Sequence, residues 1–429
     1  MTTSAIRYWP LEILLRLSLR RGPVLRSRLG ADRYAYLLGP QANALILAHD
    51  EWFSVGEAFA GLVPVDGPTS VVVSDGPDHT RRRALIRPAL SPRSVDGYLE
   101  VIAHTAAEAV AELRPGHSVD AYALFRRAIR RSTLRSLFGP TMAADADWLG
   151  ETLQPLLDLV DRLPQLVTWQ ARLRTPAWRR AMAARDRLDA YVYRQIAEAR
   201  RGAGDVESVL HALVAGRDGT GSGLSDLEVR DQAVTLIAAG YETTSAALGW
   251  AVYALATHPQ WQARARAEVR ELLGDRAPTP ADLRALPTVA AVISETLRLY
   301  PPAAMSARRA ERDFSFADRL VRTGDLVIFS PYVTHRDPRV FEAPERFDPQ
   351  RWLAGGHRPP PEYLPFGGGA HRCAGSHLAT VELTVMLAHL LRTGPFELSG
   401  RPPRARSFAA MRPQGGVLIT VRPTDGVDQ

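Results

Sequence analysis

The chain has 429 residues, 46% of them hydrophobic and 23% charged, so it can bury a large core and is neither disordered nor fibrous. The formal net charge is +7, and all 53 basic residues are arginine; no arginine run with interleaved aromatics sits on a recognisable module, so nucleic-acid binding is not expected. A single cysteine excludes an intrachain disulfide framework and a cysteine-held iron–sulfur cluster.

Residues 1–25 place Leu11, Ile13, Leu14, Leu15, Leu17 and Leu19 among Glu12, Arg16, Arg20 and Arg21. This run is too short and too charged to span a bilayer, and no signal-peptide pattern follows it. An amphipathic helix packed on the body is expected, with weak membrane contact as the alternative. Segments 34–38 and 71–73 read as strands. Helical periodicity marks 98–113, 178–201, 226–257 and 260–273. The 226–257 run opens with a capping box, Ser225 and Glu228, and Pro259 closes it. At 1.5 Å per residue it is about 48 Å long, enough to cross a domain. Its middle is apolar nearly all round, which predicts burial. One polar island interrupts it: Gly240, Tyr241, Glu242, Thr243 and Thr244. Residues 313–333 read as strands about Gly324-Asp325, and 335–372 as irregular chain. A last helix is expected at 374–393 and a strand at 416–421. The sum is a mainly α chain with small β-sheets, in one domain covering 1–429.

Cys373 sits in Phe366-Gly367-Gly368-Gly369-Ala370-His371-Arg372-Cys373-Ala374-Gly375. Three glycines let the backbone turn tightly and approach a flat ligand. A thiol just before a helix favours its thiolate form, because the helix N-terminus is electropositive. Nearby backbone N–H groups can bond the sulfur, and Phe366 can pack against the ligand.

This segment resembles the haem-binding loop of the cytochrome P-450 superfamily, Phe-Gly-x-Gly-x-x-x-Cys-x-Gly. Three further segments match in the expected order, so the resemblance runs from about residue 70 to 420. Glu295-Thr296-Leu297-Arg298 is similar to the family's buried Glu–Arg pair, with Arg346 as the third member of the network. Ala239 to Thr244 is similar to the acid–alcohol stretch of the long helix that crosses the haem. The resemblance implies that the helix opens at Gly240, that Thr243 holds oxygen and that Glu242 relays protons from solvent. His79 and Arg83, four apart on one helical face, would bind the haem propionates with Arg308 and His371; Arg309 is the neighbour that could replace Arg308.

What the resemblance implies is a haem-thiolate monooxygenase carrying haem b, with Cys373 as the iron ligand. It would insert one atom of O2 into a hydrophobic small molecule, because a thiolate favours O–O cleavage. Electrons are expected from a separate ferredoxin and ferredoxin reductase, docking on a basic face with Arg81, Arg82, Arg126, Arg127 and Arg372. Expected pocket residues include Ala238, Ala239, Ala304, Met305, Ala409 and Ala410, mostly small and apolar, with room for a terpenoid, a polyketide or another natural product. A monomer in the cytoplasm is expected, with no transmembrane segment. A peroxide-driven fatty-acid peroxygenase and a non-catalytic haem-binding module remain the alternatives.

Overall fold

The computed structural model describes residues 6–162, 164–217, 221–353, 355–356, 358–406 and 410–422. The dominant element is the helix Asp226–Thr257, 32 residues long. Ser225 Oγ accepts from the Glu228 N–H at 3.3 Å, and Glu228 Oε2 accepts from the Ser225 N–H at 3.0 Å, so the capping box is closed in both directions. The helix packs against Ala121–Ala144 on one side and against Pro287–Leu299 and Ser376–Thr393 on others. Trp250, Leu248, Val252 and Leu255 are fully buried, as an all-round apolar sequence requires.

Among the described residues, twelve short strands lie beside this helical body: β1 (Val24–Leu29), β2 (Asp32–Leu37), β3 (Phe53–Ser54), β4 (Ser118–Asp120), β5 (Ser306–Ala310), β6 (Phe314–Phe316), β7 (Arg319–Val321), β8 (Leu326–Phe329), β9 (Phe396–Leu398), β10 (Arg404–Arg406), β11 (Arg412–Gln414) and β12 (Leu418–Val421). The largest sheet has the order β1-β2-β8-β5-β3 and its own core of Ala35, Leu37, Ile46, Phe53, Val327 and Phe329. The fold is thus mainly helical with small sheets.

Two local expectations fail. Residues 71–73 form a 3₁₀ turn, not a strand. The Val71 N–H donates to Gln232 Oε1 (2.9 Å) and Gln232 Nε2 donates to the Thr69 carbonyl (2.6 Å), while the Val72 and Val73 N–H groups donate to Ser70. Gly324-Asp325 is not a hairpin tip either. β6 and β7 turn at Ala317-Asp318, both with positive φ, while β8 pairs parallel with β2 and antiparallel with β5. The Asp325 carboxylate instead binds Arg33 of the neighbouring β-hairpin.

At the N-terminus the helix Trp9–Arg21 buries Leu11 and Leu15, and its Glu12 accepts from the Tyr332 hydroxyl at 2.6 Å. No helix among the described residues is long and apolar enough to cross a membrane.

Candidate active site

The cysteine loop is built by backbone geometry. Gly367 and Gly369 both hold φ +65, the left-handed region a side chain resists. The Cys373 N–H donates to the Phe366 carbonyl at 2.9 Å, closing the turn. Gly368 serves packing on the protein itself: a Cβ there would stand 2.8 Å from Leu47. The helix Ser376–Thr393 begins three residues after Cys373, with Gly375 as its N-cap. The thiol is surrounded by protein in depth, yet its own surface is exposed. Burial pushes the thiol up, while the Gly375 N–H, Arg83 and Arg372 pull it down.

Ala239 and Thr243, one helical turn apart, are exposed in the middle of the otherwise buried long helix. Thr243 Oγ1 donates to the Ala239 carbonyl at 3.1 Å, and Thr244 Oγ1 does the same to Gly240 at 3.1 Å. The helix runs unbroken through this point, so the expected opening at Gly240 is absent. The glycine instead admits the helix Ala121–Ala144, since a Cβ at 240 would stand 2.7 Å from Thr133 Cγ2.

Glu242 projects to another side of the helix and is 7% exposed. Arg126 donates to its Oε2 twice (3.0 and 2.7 Å), and Arg412 donates to Oε1 (3.2 Å). Both arginines line a cavity of about 420 Å³ between the start of the Ala121–Ala144 helix and residues 412–416.

The cationic group assembles from three separate segments. His79 and His371 stack with ring centroids 4.0 Å apart. Arg83 donates to the Arg372 carbonyl. Burial lowers the His371 pKa to about 4, with His79 and Arg308 adding to the effect. Burial and Arg83 lower His79 as well. Arg308, 6% exposed, donates only to Ala307 O (2.8 Å) and Ser306 Oγ (3.4 Å) and lies over the Phe329 ring at 5.5 Å. Among the described residues no carboxylate stands within ion-pair distance of it. Asp50 and Asp75 act on this buried guanidinium only from farther away, so the site suits an anionic ligand, and two propionates meet that demand. Arg309 points elsewhere, to the Gly324 carbonyl (2.9 Å) and Glu57 (3.6 Å). Asp50 enters unforeseen, its carboxylate 3.6 Å from His371.

The Glu295–Arg298 pair is wholly buried, with bonds of 2.8 Å at each carboxylate oxygen. Arg346 joins it through its carbonyl, which accepts from Arg298 at 3.0 Å; its side chain is 60% exposed and turns to Asp348. The expected third side chain is therefore corrected. Arg351 and Trp352 take that place, donating to Glu295 at 3.3 and 2.9 Å, because Arg298 already saturates the inner edge of the carboxylate. His335 is a member the sequence did not flag. Its carbonyl accepts from Arg298 (2.8 Å) and its Nε2 accepts from the Leu364 N–H (3.0 Å).

Of the expected pocket residues, Ala239 is exposed and Met305 half-buried, whereas Ala238, Ala304 and Ala410 are packed in the core. The Ala304 carbonyl is held by Ser330 Oγ at 2.7 Å. Ala409 lies outside the described residues. The expected basic face is also thinner than its sequence. Arg81 and Arg82 turn to Glu228 and Arg126 to Glu242, whereas Arg127, paired with Glu112, and Arg372 are exposed.

A thiol before a helix, a hydroxyl-bearing long helix, a buried histidine–arginine cluster and a buried Glu–Arg network fit a haem-thiolate oxygenase scaffold. A family model described as Cytochrome P450 matches residues 9–421, and the chain belongs to that family. It is a monooxygenase, and family and fold together imply a haem-thiolate cofactor. A Mycobacterium tuberculosis protein named cytochrome P450 139 is 45% identical over 97% of this chain and 99% of its own length. Cyclooctat-9-en-7-ol 5-monooxygenase of Streptomyces melanosporofaciens is 33% identical over 90% of this chain and 85% of its own. A solved structure of retinoic acid-bound cyanobacterial CYP120A1 superposes with a TM-score of 0.85 at 25% identity, covering 95% of this chain and 93% of that one.

Proposed function

We propose that residues 1–429 work as one domain that would hold haem b through the Cys373 thiolate, with His79, Arg83, Arg308 and His371 available to bind its propionates. The observation that carries this reading is the exposed Cys373 in its glycine-built turn, together with a buried Arg308 that has no carboxylate within ion-pair distance among the described residues. When bound, haem supplies dioxygen activation, to which a thiolate donor is suited. The chain supplies orientation, exclusion of water and proton handling. Phe366, packed against the core, flanks the cysteine loop. Thr243 is exposed, and its hydroxyl, which donates to the Ala239 carbonyl, keeps its lone pairs for a ligand. Glu242, clamped by Arg126 and Arg412, communicates with solvent through the 420 Å³ cavity those arginines line. In this reading Glu242 takes up protons from water on the arginine-lined side of the helix.

The substrate in this reading is a hydrophobic small molecule, such as a terpenoid or another natural product. The similar proteins named for cyclooctat-9-en-7-ol, and the neighbour bound to retinoic acid, support a bulky hydrocarbon frame. A ferredoxin with its reductase in the cytoplasm would deliver electrons to a monomer. Exposed Arg372 and Arg87, together with Arg83, are like charges gathered beside the cysteine loop and offer an acidic partner its footing.

The test is spectroscopic. The reduced wild-type protein under carbon monoxide should show the long-wavelength Soret band of thiolate ligation. Cys373→His should retain porphyrin and lose that band. A band unchanged in the variant would remove Cys373 from the iron.

A further inference from the structure

The cavity of about 420 Å³ beside Glu242 is walled by arginine. Arg126, Arg127 and Arg130 come from the Ala121–Ala144 helix, and Arg412 faces them from β11. Among the described residues Asp120 is the one carboxylate that lines it, and that group is spent on backbone. Its Oδ1 accepts from the N–H groups of Tyr122 (3.0 Å), Ala123 (3.3 Å) and Val417 (2.9 Å). The acids that pair with the arginines stand behind the wall. Glu242 binds Arg126 and Arg412, Asp161 binds Arg412, Asp147 binds Arg130 and Glu112 binds Arg127. A guanidinium has more N–H donors than one such contact uses. Arg127 and Arg130 each commit a single nitrogen to an acid, and Arg130 Nε, in a side chain only 7% exposed, has no partner.

This cluster is built rather than incidental. Like charges one turn apart on a helix repel. Arg126 and Arg130 are nevertheless fixed side by side, each over the Tyr241 ring, at 5.3 and 5.8 Å. Gly150, on the helix Ala146–Val160, makes room for Arg130, since a Cβ there would collide with its guanidinium. Convergent planar forks match an oxyanion, in which each oxygen accepts more than one bond. The cavity has the size of a small-molecule site, and Tyr122, Ala123 and Pro413 add carbon surface to it. An organic molecule bearing an oxyanion answers both kinds of wall.

We propose that this cavity binds the phosphate or carboxylate group of a small metabolite. The site lies where Glu242 projects, and Thr243 points from another side of the long helix. A bound oxyanion competes with Glu242 for Arg126 and Arg412, and so reaches the proton supply described above. That consequence rests on the role given to Glu242, whereas the binding itself stands without it.

Holoprotein is titrated in a calorimeter with pyrophosphate and, separately, with citrate at fixed ionic strength, with sodium chloride as the control. At least one of the two should bind saturably, one per chain, and the tighter one tells phosphate from carboxylate. Arg127→Gln removes an arginine that is salt-bridged at the surface to Glu112, and should weaken binding at least about fivefold. Ala123→Glu sets a competing carboxylate on the cavity wall and should weaken binding at least about tenfold. Ala123 is the third residue of its helix, where an acid is favourable, so this variant keeps the fold. Both variants should keep the carbon monoxide spectrum of the wild type, so the pocket and the haem assignment fail separately. No saturable heat from either anion, heat that chloride reproduces, or an affinity unchanged in either variant would each overturn the proposal.

Discussion

Glu382 shows how one buried group sets a pH dependence. It lies between the Ser376–Thr393 and Ala121–Ala144 helices, 1% exposed. Ser132 and Thr133 donate to its Oε1 at 2.9 and 3.1 Å, and its Oε2 has no partner. Burial pushes its carboxyl up to about 8, against the pull of those two hydroxyls. The folded state therefore keeps a proton that the unfolded chain releases at an ordinary glutamate pH. The resulting stability is fully present below that ordinary value and falls as pH rises toward and through about 8. Glu382→Gln, which stays neutral, should flatten the dependence between about pH 5 and pH 8 by on the order of a few kcal/mol, read from urea midpoints. An unchanged slope would mean the proton is lost well below neutrality. Nothing in the sequence flagged this residue, because a glutamate in a helix reads as surface until a neighbouring helix covers it. Thr133 carries the same lesson. Its methyl group, not an opened helix, is what Gly240 accommodates.

At the scale of elements, the irregular stretch after His335 has little regular hydrogen bonding of its own and depends on the Pro287–Leu299 helix. Arg298 donates to the carbonyls of His335, Pro344 and Arg346, and Glu295 accepts from the Asp348 N–H at 2.8 Å. One ion pair thus holds several turns of chain that lead into the cysteine loop. Glu295→Ala leaves Arg298 buried and unpaired, and should cost about 3–5 kcal/mol in chemical unfolding. Protease cleavage in 341–373 should rise and haem occupancy fall with it. Retained occupancy at reduced stability would separate the network from the cofactor site. The Glu–Arg spacing was legible in sequence, and so was its burial through the family resemblance. The partners Arg351 and Trp352 were not, because a non-repetitive loop follows no period that would tell an inward side chain from an outward one. The 71–73 turn escaped for a related reason. Three valines read as strand, but Ser70 accepts from the Val72 and Val73 N–H groups, and a glutamine from a helix about 160 positions away accepts from that of Val71.

For the whole molecule, the proposed ligand contacts come from 79–83, 239–243, 308 and 371–373, on elements that share no local sequence. A cofactor bound only by the folded state stabilises it in proportion to its affinity. Stripping porphyrin should lower Tm and raise hydrogen exchange in those four segments together, while the helix Ala146–Val160 stays protected. Exchange confined to the cysteine loop would argue against the shared site.

The sequence alone determined what depends on short-range order. The Asp226–Thr257 helix and its capping box, the turn-forming glycines before Cys373, the Ser376–Thr393 helix and the family itself were all readable, since each rests on neighbours within a few positions. Tertiary structure alone decided which arginines are spent inward, which of Arg308 and Arg309 faces the cationic cluster, and that Arg346 gives its carbonyl rather than its side chain. Those outcomes depend on which distant surface covers a side chain, and a long flexible arginine reads the same in sequence whether its charge meets water, a buried carboxylate or a ligand.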